Sequence, residues 1–265
     1  MVNLAEERLL LDIPKFHPKY DEGIEYGYKN KPGKNLDSVL RKASNNHCMY
    51  CYALLKNDRV NTGNMEHSIE KDLDKEHLTE CVPNISIACN NCNQSLKRRG
   101  EKKRLKELEN AKNNFISKVS CTDKGCRREC KAYSDLKKEY CKRSQIILQP
   151  TGVKGKDTEQ PYRLQYDVYN AEFIPNQNYQ YDEYDKNYIK HHISQFKLND
   201  PGMKTRALAN FVEDVIEADG KYVEKREYSN LIVNLFKETL KDMSQDEVLK
   251  LCEQIYTKYV ITFKI

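Results

Sequence analysis

Two Cys-x-x-Cys pairs, Cys48-Met-Tyr-Cys51 and Cys89-Asn-Asn-Cys92, constrain this chain more than any other feature. Thiolates at that spacing let one loop present two sulfurs to a tetrahedral ion, and two such loops tie distant segments together without a large apolar core. The four are expected to hold a structural Zn²⁺. In plain zinc ribbons about 15 to 20 residues separate the pairs; here thirty-seven do, so a further unit is inserted between the knuckles. The rival use of ten cysteines in 265 residues is a disulfide framework, but that belongs to small secreted domains. The chain opens Met1-Val-Asn-Leu-Ala-Glu-Glu, acidic where a secretory signal is basic, and its first apolar run is three leucines. A reducing cytoplasm is therefore the expected location. No stretch approaches the ~18 consecutive apolar residues of a membrane span.

The inserted unit reads Met65-Glu66-His67-Ser68-Ile69, a polar loop, then Pro83-Asn84-Ile85-Ser86-Ile87-Ala88-Cys89-Asn90-Asn91-Cys92-Asn93, with Lys97 one helical turn beyond. Two short segments with apolar flanks, a loop between them and a helical composition from Asn93 to Lys118 predict a ββα unit stapled by zinc. The charge is regional. Ser95 to Gln145 carries 17 Lys and Arg against 7 Asp and Glu, while the whole chain is only +5. A positive face beside the metal ligands suits the phosphate backbone of nucleic acid; the plainer alternative is a solvated Lys-rich helix.

An acidic residue and His on one strand, Asn-hydrophobic-x-hydrophobic-x-Cys on the next, and Cys-Asn leading a helix resemble the HNH nuclease family with its zinc-supported ββα-metal core. The match covers about Cys48 to Gly100. Glu66-His67-x-Ile69, the later Tyr-rich region and Ile193-Ser-Gln-Phe-Lys-Leu-Asn199 followed by Arg206 are similar to the HNH subunits of Septu-type and retron-linked phage-defence systems. The resemblance implies that His67 is the general base, and that Glu66 and Asn93 hold one Mg²⁺ or Mn²⁺ through oxygen. It further implies that Asn84 orients the hairpin loop or the imidazole, and that Lys97, Arg98 and Arg99 contact phosphates. DNA is expected as substrate ahead of RNA, and a companion ATPase as partner. Two departures stand out: Glu70 occupies a position where many members have Pro, and Lys97 lies one residue later than the common Cys-Asn-x-x-Lys spacing. Asn93 also reads as a simple helix cap.

The expected fold class is α+β, a zinc-stabilised ββα-metal core with a mainly helical C-terminal region. Residues 1–44 read as an N-terminal arm with a short helix from Leu36 to Ala43, 45–118 as the nuclease core and 119–150 as a Cys-rich basic insert. Cys121, Cys126, Cys130 and Cys141 within that insert are a candidate second zinc knuckle, the alternative being core or unpaired thiols. Residues 151–265 read as a Tyr-rich hairpin, half-buried or a docking surface, followed by helices. A capping box, Ser244-x-x-Glu247, opens the last of these. Cys252 reads as core, His47 as a bystander to Cys48, and His77, His191 and His192 as solvated. Two other functions compete with the defence nuclease. One is a non-catalytic zinc-ribbon module that binds nucleic acid or protein; the other is a stand-alone restriction enzyme.

Overall fold

The computed structural model describes residues 8–57, 60–120, 126–200, 203–224, 226 and 228–263. Its elements in chain order begin with β1 (Leu10–Asp12), α1 (Asn30–Ala43), β2 (Lys56–Asn57), β3 (Val60–Asn61), β4 (Gly63–His67), α2 (Lys75–Leu78) and β5 (Ile85–Cys89). A π-helical turn, Cys92–Leu96, leads into α3 (Glu101–Glu107), α4 (Glu109–Lys118) and α5 (Lys131–Ser144). The rest is β6 (Leu164–Asp167), β7 (Glu172–Pro175), α6 (Glu183–Gln195), α7 (Met203–Glu217), α8 (Leu231–Thr239) and α9 (Gln245–Phe263). The chain is thus mixed α/β with small sheets. It divides into two compact units, one of Pro14–Tyr162 and Asn178–Phe196, the other of Met1–Ile13, Arg163–Gln177 and Lys197–Ile265.

The first unit is built on β4 and β5, antiparallel in the register Gly63↔Cys89 through His67↔Ile85. Ile85, Ser86, Ile87 and Ala88 are all buried, so β5 is covered on both faces. Helix α1 packs on this strand, and its Leu36 and Leu40 are fully buried. It begins at Asn30, six residues before the apolar stripe, because Pro32 is tolerated in a first turn whose amides need no helical partner. Arg41 in its last turn is itself buried and donates to Gly63 O at 2.8 Å, fixing the start of β4 against the helix. Helix α5 is capped by the Cys130 sulfur, which accepts from Tyr133 N at 3.4 Å.

In α6, Tyr188, His192 and Phe196 follow at steps of four on one buried face. His192 is fully buried and accepts from Ile147 N at 3.1 Å through Nδ1, which corrects the expectation that it is solvated. Burial, with His191 beside it, lowers its pKa to about 3.

The second unit carries a three-stranded sheet in the order β1-β6-β7, all antiparallel. The alternation in residues 162–174 makes the expected hairpin, with Tyr166 opposite Phe173 and their rings edge to face at 5.1 Å. Strand β1 adds to its free edge, a pairing that the sequence of residues 10–12 does not announce. Helices α7 and α9 pack together, and the capping box forms as read: Ser244 N donates to Glu247 Oε2 at 2.8 Å, and Glu247 N to Ser244 Oγ at 3.4 Å. Cys252 is buried in this core.

Candidate active site

Cys48 and Cys51 lie on the turn before the β4–β5 hairpin, Cys89 ends β5 and Cys92 opens the π-helical turn. Met49 N bonds Ile87 O at 3.1 Å, holding the first knuckle against β5. The four sulfurs all lie within 4.8 Å of one another, and Cys51 Sγ is 3.7 Å from Cys89 Sγ. A tetrahedral zinc with Zn–S of about 2.3 Å sets sulfurs about 3.8 Å apart, whereas a disulfide needs about 2.05 Å. Cys92 N also points at Cys89 Sγ, 3.4 Å away, an amide placed to stabilise a thiolate. The four-cysteine cluster fits a metal ion such as zinc.

Among the described residues, the later cysteines Cys126, Cys130 and Cys141 form no ligand cluster. Cys121 lies outside the described residues. Cys130 caps the start of α5 while Cys141 sits in its last turns, and eleven residues of helix are about 16 Å, too far to share an ion. Burial pushes the Cys141 thiol up to about 11. Among the described residues, Cys48, Cys51, Cys89 and Cys92 are the one set of three or more His, Cys, Asp or Glu ligands that converges.

His67, the last residue of β4, is 7% exposed, and its Nε2 is 3.0 Å from Thr79 O. A carbonyl only accepts, so Nε2 carries the proton and the lone pair is on Nδ1. The Tyr28 ring lies 4.4 Å from the imidazole, and Lys71 Nζ stands 5.4 Å over that tyrosine. Burial lowers the His67 pKa below its ordinary value; the Thr79 bond and Glu66 pull the other way, while Lys71 and Lys97 reinforce burial. The ring is neutral near pH 7, the form a general base requires.

Asn84 makes no hydrogen bond to the ring. Its Oδ1 accepts from Ile69 N at 2.7 Å and from the Tyr133 hydroxyl at 3.1 Å, and its Nδ2 donates to Ile69 O at 3.0 Å. Its own carbonyl accepts from Ser68 N at 2.7 Å. Those bonds pin the chain that leaves His67, so Asn84 orients the hairpin loop.

Neighbouring residues on a strand project to opposite faces, and Glu66 accordingly turns inward, 2% exposed. Its Oε1 accepts from Ser86 Oγ at 2.5 Å and from the Tyr50 hydroxyl, and its Oε2 from Lys97 Nζ at 2.8 Å. Burial alone would raise the Glu66 pKa, but the Lys97 charge and these bonds hold it below its usual value. Asn93 is half-buried inside the π-helical turn, not at its cap, and no hydrogen bond holds its carboxamide among the described residues. A hard divalent ion needs several free oxygens; one oxygen of Glu66 carries two hydroxyl donors and the other an ammonium, so such an ion does not fit the carboxylate as folded.

Lys97, expected on the surface among the phosphate contacts, is 4% exposed. The reason is the π-helical turn. Lys97 N bonds Cys92 O at 3.0 Å, an i→i+5 step that absorbs one extra residue and swings the side chain inward. Arg98 and Arg99 remain exposed.

Several residues here escaped sequence reasoning. Glu70 is buried with Arg104 Nη2 at 2.5 Å and the Tyr140 hydroxyl at 2.8 Å, both on its Oε1. Glu70 in place of a proline was the visible signal; nothing local marked Tyr28 or Tyr50. Comparison with protein-family models, with curated proteins and with solved structures finds no match for this chain. No described helix is long and apolar enough to cross a membrane.

Proposed function

We propose that the protein is an endonuclease of the HNH kind, hydrolysing phosphodiester bonds in nucleic acid, DNA ahead of RNA. One observation carries the reading: an imidazole of fixed tautomer closes the first strand of a hairpin whose two ends are gathered by a four-cysteine cluster. In this reading His67 Nδ1 takes the proton of the attacking water, with Thr79 O holding the ring against rotation. Lys71, beside the Tyr28 ring that covers His67, and the exposed Arg98 and Arg99 supply positive charge to the phosphate. Asn84 positions the loop that bears Lys71. Mg²⁺ or Mn²⁺ would neutralise charge on the phosphate, but Glu66 as folded faces Lys97 and does not hold either. The likeness to phage-defence subunits supports a companion ATPase that controls cleavage.

A second reading, a zinc-dependent nucleic-acid-binding module without catalysis, is favoured by that same closure of Glu66. One assay separates the two. Zinc-loaded protein is incubated with plasmid with and without Mg²⁺ or Mn²⁺, beside His67→Ala. Cleavage by the parent chain that is abolished in a variant retaining zinc is expected; equal cleavage by both removes His67 as the base, and binding without cleavage under every condition leaves the binding module. Because burial lowers the pKa of His67, cleavage should persist below the ordinary imidazole range of about 6.5.

A further inference from the structure

The fold has enclosed a full positive charge where the HNH resemblance calls for a dication. Lys97 Nζ lies 2.8 Å from Glu66 Oε2 and also donates to His67 O, so the ammonium bridges the last two residues of β4. The lysine side chain is 6% exposed and the glutamate 1%. The Tyr50 hydroxyl and Ser86 Oγ both donate to the other carboxylate oxygen. Mg²⁺ and Mn²⁺ bring a shell of about six oxygens at close to 2.1 Å. At Glu66 one oxygen carries two hydroxyl donors and the other faces an ammonium already in place. The register is built in, since the π-helical turn is what brings Lys97 to this depth.

We propose that Lys97 is the resident counter-ion of Glu66, an internal ammonium that takes the place of a divalent cation and closes this carboxylate to one. The pair then fixes the end of β4, and through it the backbone of His67, with a charge that cannot diffuse away. This goes beyond the nuclease reading and does not depend on it, because it concerns what Glu66 binds and not what His67 does.

The test is Mn²⁺ binding to the zinc-loaded full chain, followed by the electron paramagnetic resonance of free Mn²⁺. Zinc already fills the cysteine cluster, so uptake reports on oxygen ligands. Removing the ammonium leaves a buried carboxylate without a counter-charge and frees its Oε2, so Lys97→Met should gain one Mn²⁺ with an affinity roughly tenfold or more above the parent chain. Lys97→Met combined with Glu66→Gln should lose that gain, and Lys97→Arg should behave as the parent. If the parent chain binds one Mn²⁺ that Glu66→Gln abolishes, or if Lys97→Met folds and gains none, the proposal is overturned. Should Lys97→Met not fold, Glu66→Gln with Lys97 intact decides: unchanged Mn²⁺ uptake supports the proposal and lost uptake overturns it. Cleavage does not enter the readout, so failure here is distinct from failure of the His67 assignment.

Discussion

Arg104 reaches back from α3 to Glu70, placing Nη2 2.5 Å from Oε1 in a pair whose side chains are 8% and 7% exposed. Tyr140 of α5 donates to the same oxygen at 2.8 Å. Three separated stretches therefore meet on the residue three positions after His67.

Breaking that pair from one side should be costly. Arg104→Met strands a buried carboxylate, and the loss of a partner at such a site costs about 3 to 5 kcal/mol. Chemical denaturation of the zinc-loaded chain should show a loss of that order. Adding Glu70→Gln to Arg104→Met should restore part of it, because the stranded charge is then gone; a single variant as stable as the parent contradicts the pairing.

Metal content should be one zinc per chain. Cys130 and Cys141 are too far apart along α5 to share an ion, whereas the sulfurs of Cys48, Cys51, Cys89 and Cys92 already converge. Elemental analysis of protein purified without chelator should give one equivalent, reduced to none in Cys89→Ser and unchanged in Cys141→Ser. Chelation should unfold the β4–β5 hairpin, because binding at such a site contributes directly to folding.

Acid should weaken the protein well before the carboxylates titrate. His192 has its pKa lowered to about 3 in the fold by burial, against about 6.5 in an unfolded chain. The unfolded state thus binds the extra proton first. Stability is fully present above about pH 6.5 and falls by about 1.4 kcal/mol for each pH unit below it, until the folded value is reached. The buried His67 adds to the slope in the same direction. Melting temperatures between about pH 7 and 5.5 should drop, and His192→Phe should flatten the dependence although it costs the Ile147 bond. An unchanged slope in that variant removes His192 as the cause.

What the sequence made legible was whatever is encoded locally. The knuckles declare themselves by spacing, the last helix by Ser244 and Glu247, and the hairpin of residues 164–175 by alternation. His192 was within reach as well, since Tyr188, His192 and Phe196 recur every four residues on the buried face of α6. Lys97 was not, because counting at 3.6 residues per turn fails where a π-helical turn inserts one. The Glu70–Arg104–Tyr140 meeting depends on residues brought together only by the folded chain. The same holds for Tyr28 against His67. The functional reading of Glu66 came from likeness to a family, and it is the hydrogen bonds of Tyr50, Ser86 and Lys97 that decide what this carboxylate faces.

The hairpin register also separates scaffold from reactivity. Gly63 pairs with Cys89 at the sulfur end and His67 with Ile85 at the other, a span of four residues or about 14 Å. The charges that shift the imidazole are nearer ones, those of Glu66, Lys71 and Lys97. An ion held by the thiolates therefore governs the imidazole as a fulcrum governs the tip of a lever, by where it holds it and not by its field, and any tetrahedral dication of similar radius would leave the ring's basicity as it is.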